Sequence, residues 1–281
     1  MLAHSSSAEH ALLIATGICA VLIYGLGWLR RPKASTARLA AWISAVVVAM
    51  LATTPTVEEW AHRSFTGHMV QHLALIVIVA PLAVLAQPIL TLRHAPLVGH
   101  QPRPTSRSVS RWWRRYAAIA APTIFLGVLL LTHLTDIYEL ALDNRLVHHI
   151  EHAAYLGSAV ALWAAILAPG RRSAVTRVGA AFAVIAGSAL LGAILISATE
   201  PLVPTYVEGL GPEEALNDQR HAASLMWAGG MGTTLPLLLT SVWVWAAAEQ
   251  RITERTEELE DGRTQNAPRE RSSVDPHVRN S

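Results

Sequence analysis

Residues 69–91 have the sequence MVQHLALIVIVAPLAVLAQPILT, and this stretch contains no Asp, Glu, Lys or Arg. A helix needs roughly 20 apolar residues to cross a bilayer core about 30 Å thick, so the stretch predicts a membrane-spanning helix. The whole chain is 52% hydrophobic and only 15% charged, whereas an average soluble domain contains roughly 25% charged residues. Six more stretches predict spans, near residues 11–29, 39–54, 116–134, 146–168, 179–198 and 222–247.

We therefore expect an all-α fold, a polytopic membrane helix bundle with seven transmembrane helices. The connectors after the first, third and fifth spans contain most of the basic residues, whereas the alternate connectors contain only Arg63, Arg145 and Arg220. Because cytoplasmic loops carry the excess of Lys and Arg, we expect the N-terminus outside and the C-terminus in the cytoplasm. Residues 1–248 would form the transmembrane domain, and residues 249–281 a charged, largely disordered cytoplasmic tail.

The connector after the third span places Trp112 and Trp113 among arginines. Aromatic and basic side chains at a membrane surface anchor a protein to anionic lipid. We expect membrane lipid as a partner of this loop and no nucleic acid, because the sequence contains no folded soluble module that would present a surface to bases.

The histidines are the second unusual feature of the sequence. The predicted topology places most of the 13 outside or in the outer ends of spans, and ionisable groups at membrane depth are costly and usually functional. Two pairs, His68 with His72 and His148 with His152, have i,i+4 spacing, which puts both rings on one helix face about 5–6 Å apart. Such a pair can chelate one metal ion. The histidines on the outer side are His4, His10, His62, His68, His72, His133, His148, His149, His152 and His221.

The candidate metal ligands extend beyond the two pairs. His133 ends the fourth span and His221 begins the seventh, and Met69 and Asp218 lie close to histidines in the sequence. Imidazole binds copper, zinc, iron and nickel. The only thiol, that of Cys19, lies in the first span, so a thiolate copper site is excluded, whereas a His or His/Met copper site remains open. The predicted ligands are His68, His72, His148, His152, His133, Met69, Asp218 and His221.

For each histidine the alternative is an interfacial side chain that hydrogen-bonds to a loop carbonyl or to water. That alternative suits His4 and His10, and the sequence leaves the role of His62 and His149 undecided. Glu151 would orient an imidazole by accepting a hydrogen bond from its second nitrogen.

Three segments of the sequence resemble the motifs of a known family, the CtaG-type cytochrome c oxidase assembly proteins of the multi-span membrane type. The first motif, HMxxH…P…P, is similar to His68-Met69-Val70-Gln71-His72 followed by Ala80-Pro81 and Gln87-Pro88. The second resembles residues 138–152, YELALDNRLVHHIEH, and the third resembles Asp218-Gln219 with Leu225-Met226-Trp227. The likeness covers roughly residues 55–245.

The resemblance implies a multi-pass protein of the bacterial plasma (inner) membrane that assembles a haem–copper cytochrome c oxidase and is not an enzyme. It implies copper as the metal. It also implies that an oxidase subunit receives the copper from histidines on the periplasmic side, and it leaves a homo-oligomer open. The residues that match motif positions are His68, His72, His148, His152, Asp218 and Met226.

The residues themselves leave two other functions open. A zinc-dependent seven-span membrane hydrolase would use an HxxxH pair and a carboxylate to hold zinc and activate water, with Ser64 close to His68. A haem-binding membrane redox protein would take one axial histidine from each of two facing helices. A copper or proton transporter is disfavoured, because the spans lack charged residues through their middles and inner halves.

Overall fold

The computed structural model describes residues 2–31, 34–95, 107–167 and 174–266, and every regular element in those ranges is a helix. The expected all-α fold is therefore confirmed for this part of the chain. In chain order the elements are α1 (Leu2–Arg30), α2 (Thr36–Ala52), α3 (Pro55–Arg63), α4 (Phe65–Leu73), a π-helical segment (Ala74–Val79), α5 (Ala80–Ala86), α6 (Pro88–Leu92), α7 (Arg107–Leu134), α8 (Ile137–Asp143), α9 (Arg145–Ile166), α10 (Ala174–Ser197), α11 (Pro204–Leu210) and α12 (Pro212–Asn266).

Within the described residues, four helical stretches are long and apolar enough to cross a membrane. A fifth is added if α2 and α3, which meet at a bend of 53°, form one broken span. The predicted spans near 146–168 and 222–247 fall largely on α9 and α12, which do not add to this number. The span count of seven and the orientation of the termini therefore stay predictions. The four stretches are Ala11–Arg30, Phe65–Leu92, Tyr116–Leu134 and Arg177–Ser197.

Large apolar side chains cover much of the outside of the bundle. Leu29, Ile89 and Trp243 are 73%, 69% and 72% exposed, and α2, α7 and α10 also expose such side chains. Soluble monomers rarely expose contiguous apolar patches larger than a few hundred Å². The surface is therefore of the kind expected for helices in contact with lipid.

The segment from α4 to α6 contains the third predicted span, and it is not a regular α-helix. In the π-helical segment Ala74–Val79, N–H groups donate to carbonyl groups five residues back. The carbonyl of Ile76 would accept from residue 81 in that pattern, but Pro81 has no N–H. The indole Nε1 of Trp163 in α9 donates to the Ile76 carbonyl instead, at 2.8 Å. This hydrogen bond links α9 to the π-helical segment that follows α4.

The helices that carry most of the predicted ligands share packing partners and a common core. α4 packs against α3 and α12, and α9 packs against α5, α7, α8 and the π-helical segment. Buried aromatic and apolar side chains fill the space between them, among them Phe65, Tyr155, Trp163 and Met226. This shared core fixes α4, α7 and α9 relative to one another.

The last helix, α12, runs to Asn266 without interruption and passes through the predicted domain boundary at residue 248. Residues 267–281 of the predicted tail lie outside the described residues, and so do the side chains of His4, His10, Trp112 and Trp113. The division into a transmembrane domain and a disordered tail stays a prediction.

Candidate metal centre

Five of the predicted ligands meet in one buried cluster. α4 carries two of them, the first two turns of α9 carry two more, and the last turn of α7 carries the fifth. All five side chains are buried, and so is Glu151 in α9. We call these six residues the histidine cluster: His68, His72, His133, His148, Glu151 and His152.

The histidine rings form two facing pairs. The ring centroids of His68 and His72 lie 4.1 Å apart, and those of His148 and His152 lie 4.2 Å apart. Between the helices, the centroid of His72 lies 5.2 Å from that of His152, and the centroid of His68 lies 6.0 Å from that of His148. α4 and α9 therefore present two histidine pairs to a common space.

Glu151 lies between the two pairs. Its Oε1 is 3.9 Å from Nε2 of His68, and its Oε2 is 3.9 Å from Nδ1 of His148. Glu151, His68 and His72 each offer one ligand atom, and these atoms lie within 4.8 Å of one another. Small side-chain rotations would bring them to the spacing of about 3–4 Å that bonds of about 2.0–2.2 Å to one ion require. The sequence predicted only an orienting role for Glu151, whereas the geometry makes it a candidate ligand as well.

Most polar atoms of the cluster lack hydrogen-bond partners. In the described ranges, 11 buried side-chain nitrogen and oxygen atoms have no partner, and all belong to the histidine cluster or to Gln71. An unsatisfied buried polar group costs about 1–3 kcal/mol, so the combined cost would rival the roughly 5–15 kcal/mol by which proteins are stable. A bound metal ion would remove part of this cost, since each ligand would give it one atom, and a set of imidazoles and one carboxylate fits a transition metal.

His133 makes the second hydrogen bond that a metal-ligating histidine usually makes. Its Nδ1 lies 2.9 Å from the carbonyl oxygen of Leu129 and 3.1 Å from the hydroxyl of Tyr155, which also contacts Thr132. An Nδ1–H that donates to the Leu129 carbonyl leaves the lone pair on Nε2, and Nε2 is one of the unpartnered atoms. This arrangement orients the ring and prepares Nε2 to bind a metal.

Three tyrosines to which the sequence analysis assigned no role border the cluster. Tyr138 packs on His68 with centroids 4.6 Å apart, and Tyr155 packs on His72 with centroids 4.3 Å apart. The hydroxyl of Tyr138 lies 3.1 Å from that of Tyr206. Burial raises the pKa of Tyr138 and that of Tyr206, so both stay neutral phenols. The one sequence signal was the position of Tyr138 at the start of the second motif.

The other three predicted ligands have different environments. The carboxylate of Asp218 accepts hydrogen bonds from the N–H of Phe65 at 2.6 Å and from Oγ of Ser64 at 3.1 Å, at the N-terminus of α4. Met69 packs in the apolar core, and His221 is exposed on α12. The geometry therefore assigns Asp218 to the positioning of α4, and it supports neither Met69 nor His221 as a ligand.

Two exposed histidines, left undecided by the sequence, lie at the edge of the cluster. The ring centroid of His62 is 5.5 Å from that of His148, and the centroid of His149 is 6.2 Å from the same ring. His149 and His152 also line a cleft of about 770 Å³ between α1, α2 and α9, whose walls are mostly apolar. The cleft therefore reaches one residue of the cluster, His152, and the exposed ring of His62 lies beside another, His148.

The sequence profile of one protein family matches most of the chain. The family is described as cytochrome c oxidase caa3 assembly factor (Caa3_CtaG), and the match covers residues 20–248. The whole histidine cluster lies within these limits, together with His62 and Asp218.

Three curated relatives are each 22% identical to the chain. An uncharacterized protein of Mycobacterium leprae is 22% identical over 273 residues, which is 89% of this chain and 41% of the relative. Uncharacterized proteins of Mycobacterium bovis and Mycobacterium tuberculosis are each 22% identical over 270 residues, with the same coverage. The chain thus spans 41% of the length of these curated relatives, and no solved structure matches significantly. Because the family profile matches residues 20–248, the protein belongs to the cytochrome c oxidase caa3 assembly factor family.

Proposed function

We propose that the protein is a membrane assembly factor that binds copper in the histidine cluster and delivers it to a subunit of a haem–copper cytochrome c oxidase. The observation that carries this proposal is the burial of five imidazoles and one carboxylate, most of whose polar atoms lack partners, in a chain that belongs to an oxidase assembly family. Copper is then a cargo, and the protein is not an enzyme.

The ligand set favours copper. Imidazole binds both copper and zinc, but for the same ligands the affinity of divalent first-row metals is highest for copper. Five imidazoles and one carboxylate also exceed the four positions around a tetrahedral ion. An ion that uses only some of these ligands can exchange one for another, which suits a cargo that has to be released.

The proposed location is the bacterial plasma membrane, with the cluster on the periplasmic side and the N-terminus outside. The distribution of Lys and Arg among the connectors supports this orientation. The cleft supports lateral delivery, because it reaches His149 and His152 between apolar walls. An oxidase subunit docked there would take up copper that never enters bulk water.

Metal analysis of the purified chain tests the proposal. We expect copper in the wild type and its loss in the His68→Ala/His72→Ala variant, which lacks one of the facing pairs. His221→Ala is the matched control, because His221 was also a predicted ligand but is exposed, and this variant should retain copper.

A strain that carries His72→Ala and His152→Ala should contain less copper in its oxidase and show lower oxidase activity; normal assembled oxidase in that strain would contradict the proposal.

The same purification addresses the two alternatives. Zinc with an open coordination position, together with turnover of lipid amides or esters, would favour the membrane hydrolase, and a Soret band would favour the haem-binding redox protein. The hydrolase hypothesis drew on Ser64, but its Oγ donates to the Asp218 carboxylate and accepts from the N–H of Gly67 at 3.2 Å. A hydroxyl that caps α4 in this way is poorly placed to act as a nucleophile.

A further inference from the structure

We propose a second, outer metal site, formed by His62 and His148, which receives copper before it reaches the inner site of His68, His72 and Glu151. This proposal rests on the proposed function in one respect, namely that the chain binds copper. It concerns the route into the cluster, which the family assignment leaves open.

His62 is exposed but held in a defined place. It occupies the last turn of α3, and the hydroxyl of Tyr206 donates to the preceding carbonyl, that of Ala61, at 2.8 Å. A Cβ on Gly67 of α4 would lie 2.8 Å from the carbonyl oxygen of Trp60, closer than real side chains approach. Only glycine therefore lets α3 pack this closely on α4. These two contacts fix the position of His62 relative to the cluster.

His148 faces both the outer and the inner ligands. Its ring centroid is 5.5 Å from that of His62 and 6.0 Å from that of His68. Its Nδ1 is 3.9 Å from Oε2 of Glu151, and both of its ring nitrogens lack hydrogen-bond partners. The same imidazole is thus within reach of an ion at either site.

The burial of the inner ligands makes direct entry of a hydrated ion costly. His68 is 0% exposed and His72 is 2% exposed, and an ion that leaves water for such a site loses several kcal/mol unless protein ligands replace its water molecules. Two nitrogen atoms that bind one ion at about 2 Å each lie about 3–4 Å apart, and small rotations of these neighbouring rings reach that spacing. An ion can therefore bind the next imidazole before it leaves the previous one.

The rate of copper uptake distinguishes the outer site from the inner site. The purified chain in detergent is mixed with one equivalent of copper held by a coloured chelator, as copper(I) under anaerobic conditions and separately as copper(II), and the loss of colour gives both the rate and the final copper content. We expect His62→Ala to take up copper about tenfold more slowly, equivalent to about 1.4 kcal/mol on the barrier, while the final copper content matches the wild type. His62→Cys keeps a copper ligand at this position and should restore the rate.

The control is His221→Ala, which removes another exposed imidazole and should load at the wild-type rate. Equal rates for His62→Ala and the wild type would overturn the outer site, and so would a failure of His62→Cys to restore uptake. Slow uptake by His149→Ala together with normal uptake by His62→Ala would place the entry at the cleft and also overturn it. A wild-type chain that takes up no copper defeats the proposed function itself, whereas wild-type uptake that is indifferent to His62 defeats only the outer site.

Discussion

Two carboxylates lie close to the short helix α4, and they are used in different ways. Asp218 from α12 accepts hydrogen bonds from Oγ of Ser64 and from the N–H of Phe65, at the point where α4 begins. Glu151 from α9 is 3% exposed, yet neither of its oxygens has a hydrogen-bond partner. The difference teaches that a partnered carboxylate holds the fold together, whereas a buried carboxylate without a partner is available to a ligand. The same criterion distinguishes residues that position the histidine cluster from residues that are available to bind an ion there.

The largest effect on stability is expected at the partnered carboxylate. Asp218→Ala removes hydrogen bonds to a charged acceptor that are worth about 1.5–3 kcal/mol each, and water replaces part of them because Asp218 is only half-buried. We expect the free energy of unfolding to fall by about 3 kcal/mol, measured by chemical unfolding of the metal-free chain in detergent. Glu213→Ala removes an exposed carboxylate from the first turn of α12 and should have little effect. A similar loss of stability in both variants would show that the hydrogen bonds of Asp218 do not stabilise the fold more than an exposed carboxylate does.

The sequence predicted the histidine pairs better than it predicted the contacts that hold α4 in place. The i,i+4 spacing predicted that the two rings of each histidine pair lie close together, because a helix fixes the separation of residues four apart. Ser64 and Asp218 are 154 positions apart, and no local pattern says that their helices meet. The family resemblance pointed to Asp218 but did not distinguish a ligand from a residue that holds α4 in place.

The fold, too, was predicted only as far as local sequence patterns reach. Apolar stretches predicted the helices, and the all-α prediction is confirmed for the described residues. The π-helical turn at Ala74–Val79 was not predicted, because Pro81 indicates a break in the helix but not its type. His148, Glu151 and His152 lower the hydropathy of α9, which carries the predicted span near 146–168 but is not among the four apolar stretches.

The second prediction concerns the carboxylate without a partner. Glu151→Gln should lower the copper affinity about 10–100-fold, because the amide is a weaker ligand than the carboxylate. It should leave the free energy of unfolding of the metal-free chain nearly unchanged, since Gln has the same size as Glu and Glu151 makes no hydrogen bond that the change would remove. Competition with a copper chelator measures the affinity, and unfolding in detergent measures the stability.

The matched control for this variant is Asp143→Asn, which neutralises an exposed carboxylate at the end of α8 and should not change the affinity. An unchanged affinity in Glu151→Gln would show that Glu151 is not a ligand. A large loss of stability in the metal-free Glu151→Gln chain would show that Glu151 holds the fold together as Asp218 does, and the contrast between the two carboxylates would disappear.

The smallest effect is expected from a polar contact on the same helix as Glu151 but away from the cluster. Trp163→Phe keeps an aromatic ring in the core but removes the indole N–H that donates to the Ile76 carbonyl, so the free energy of unfolding should fall by about 1 kcal/mol. The copper affinity should not change, because Trp163 lies about 16 Å along α9 from His152. Trp227→Phe alters a tryptophan that is 46% exposed and should change neither quantity. A loss of copper affinity in Trp163→Phe comparable to that in Glu151→Gln would mean that the π turn sets the geometry of the cluster, so that positioning and binding are not separable on α9.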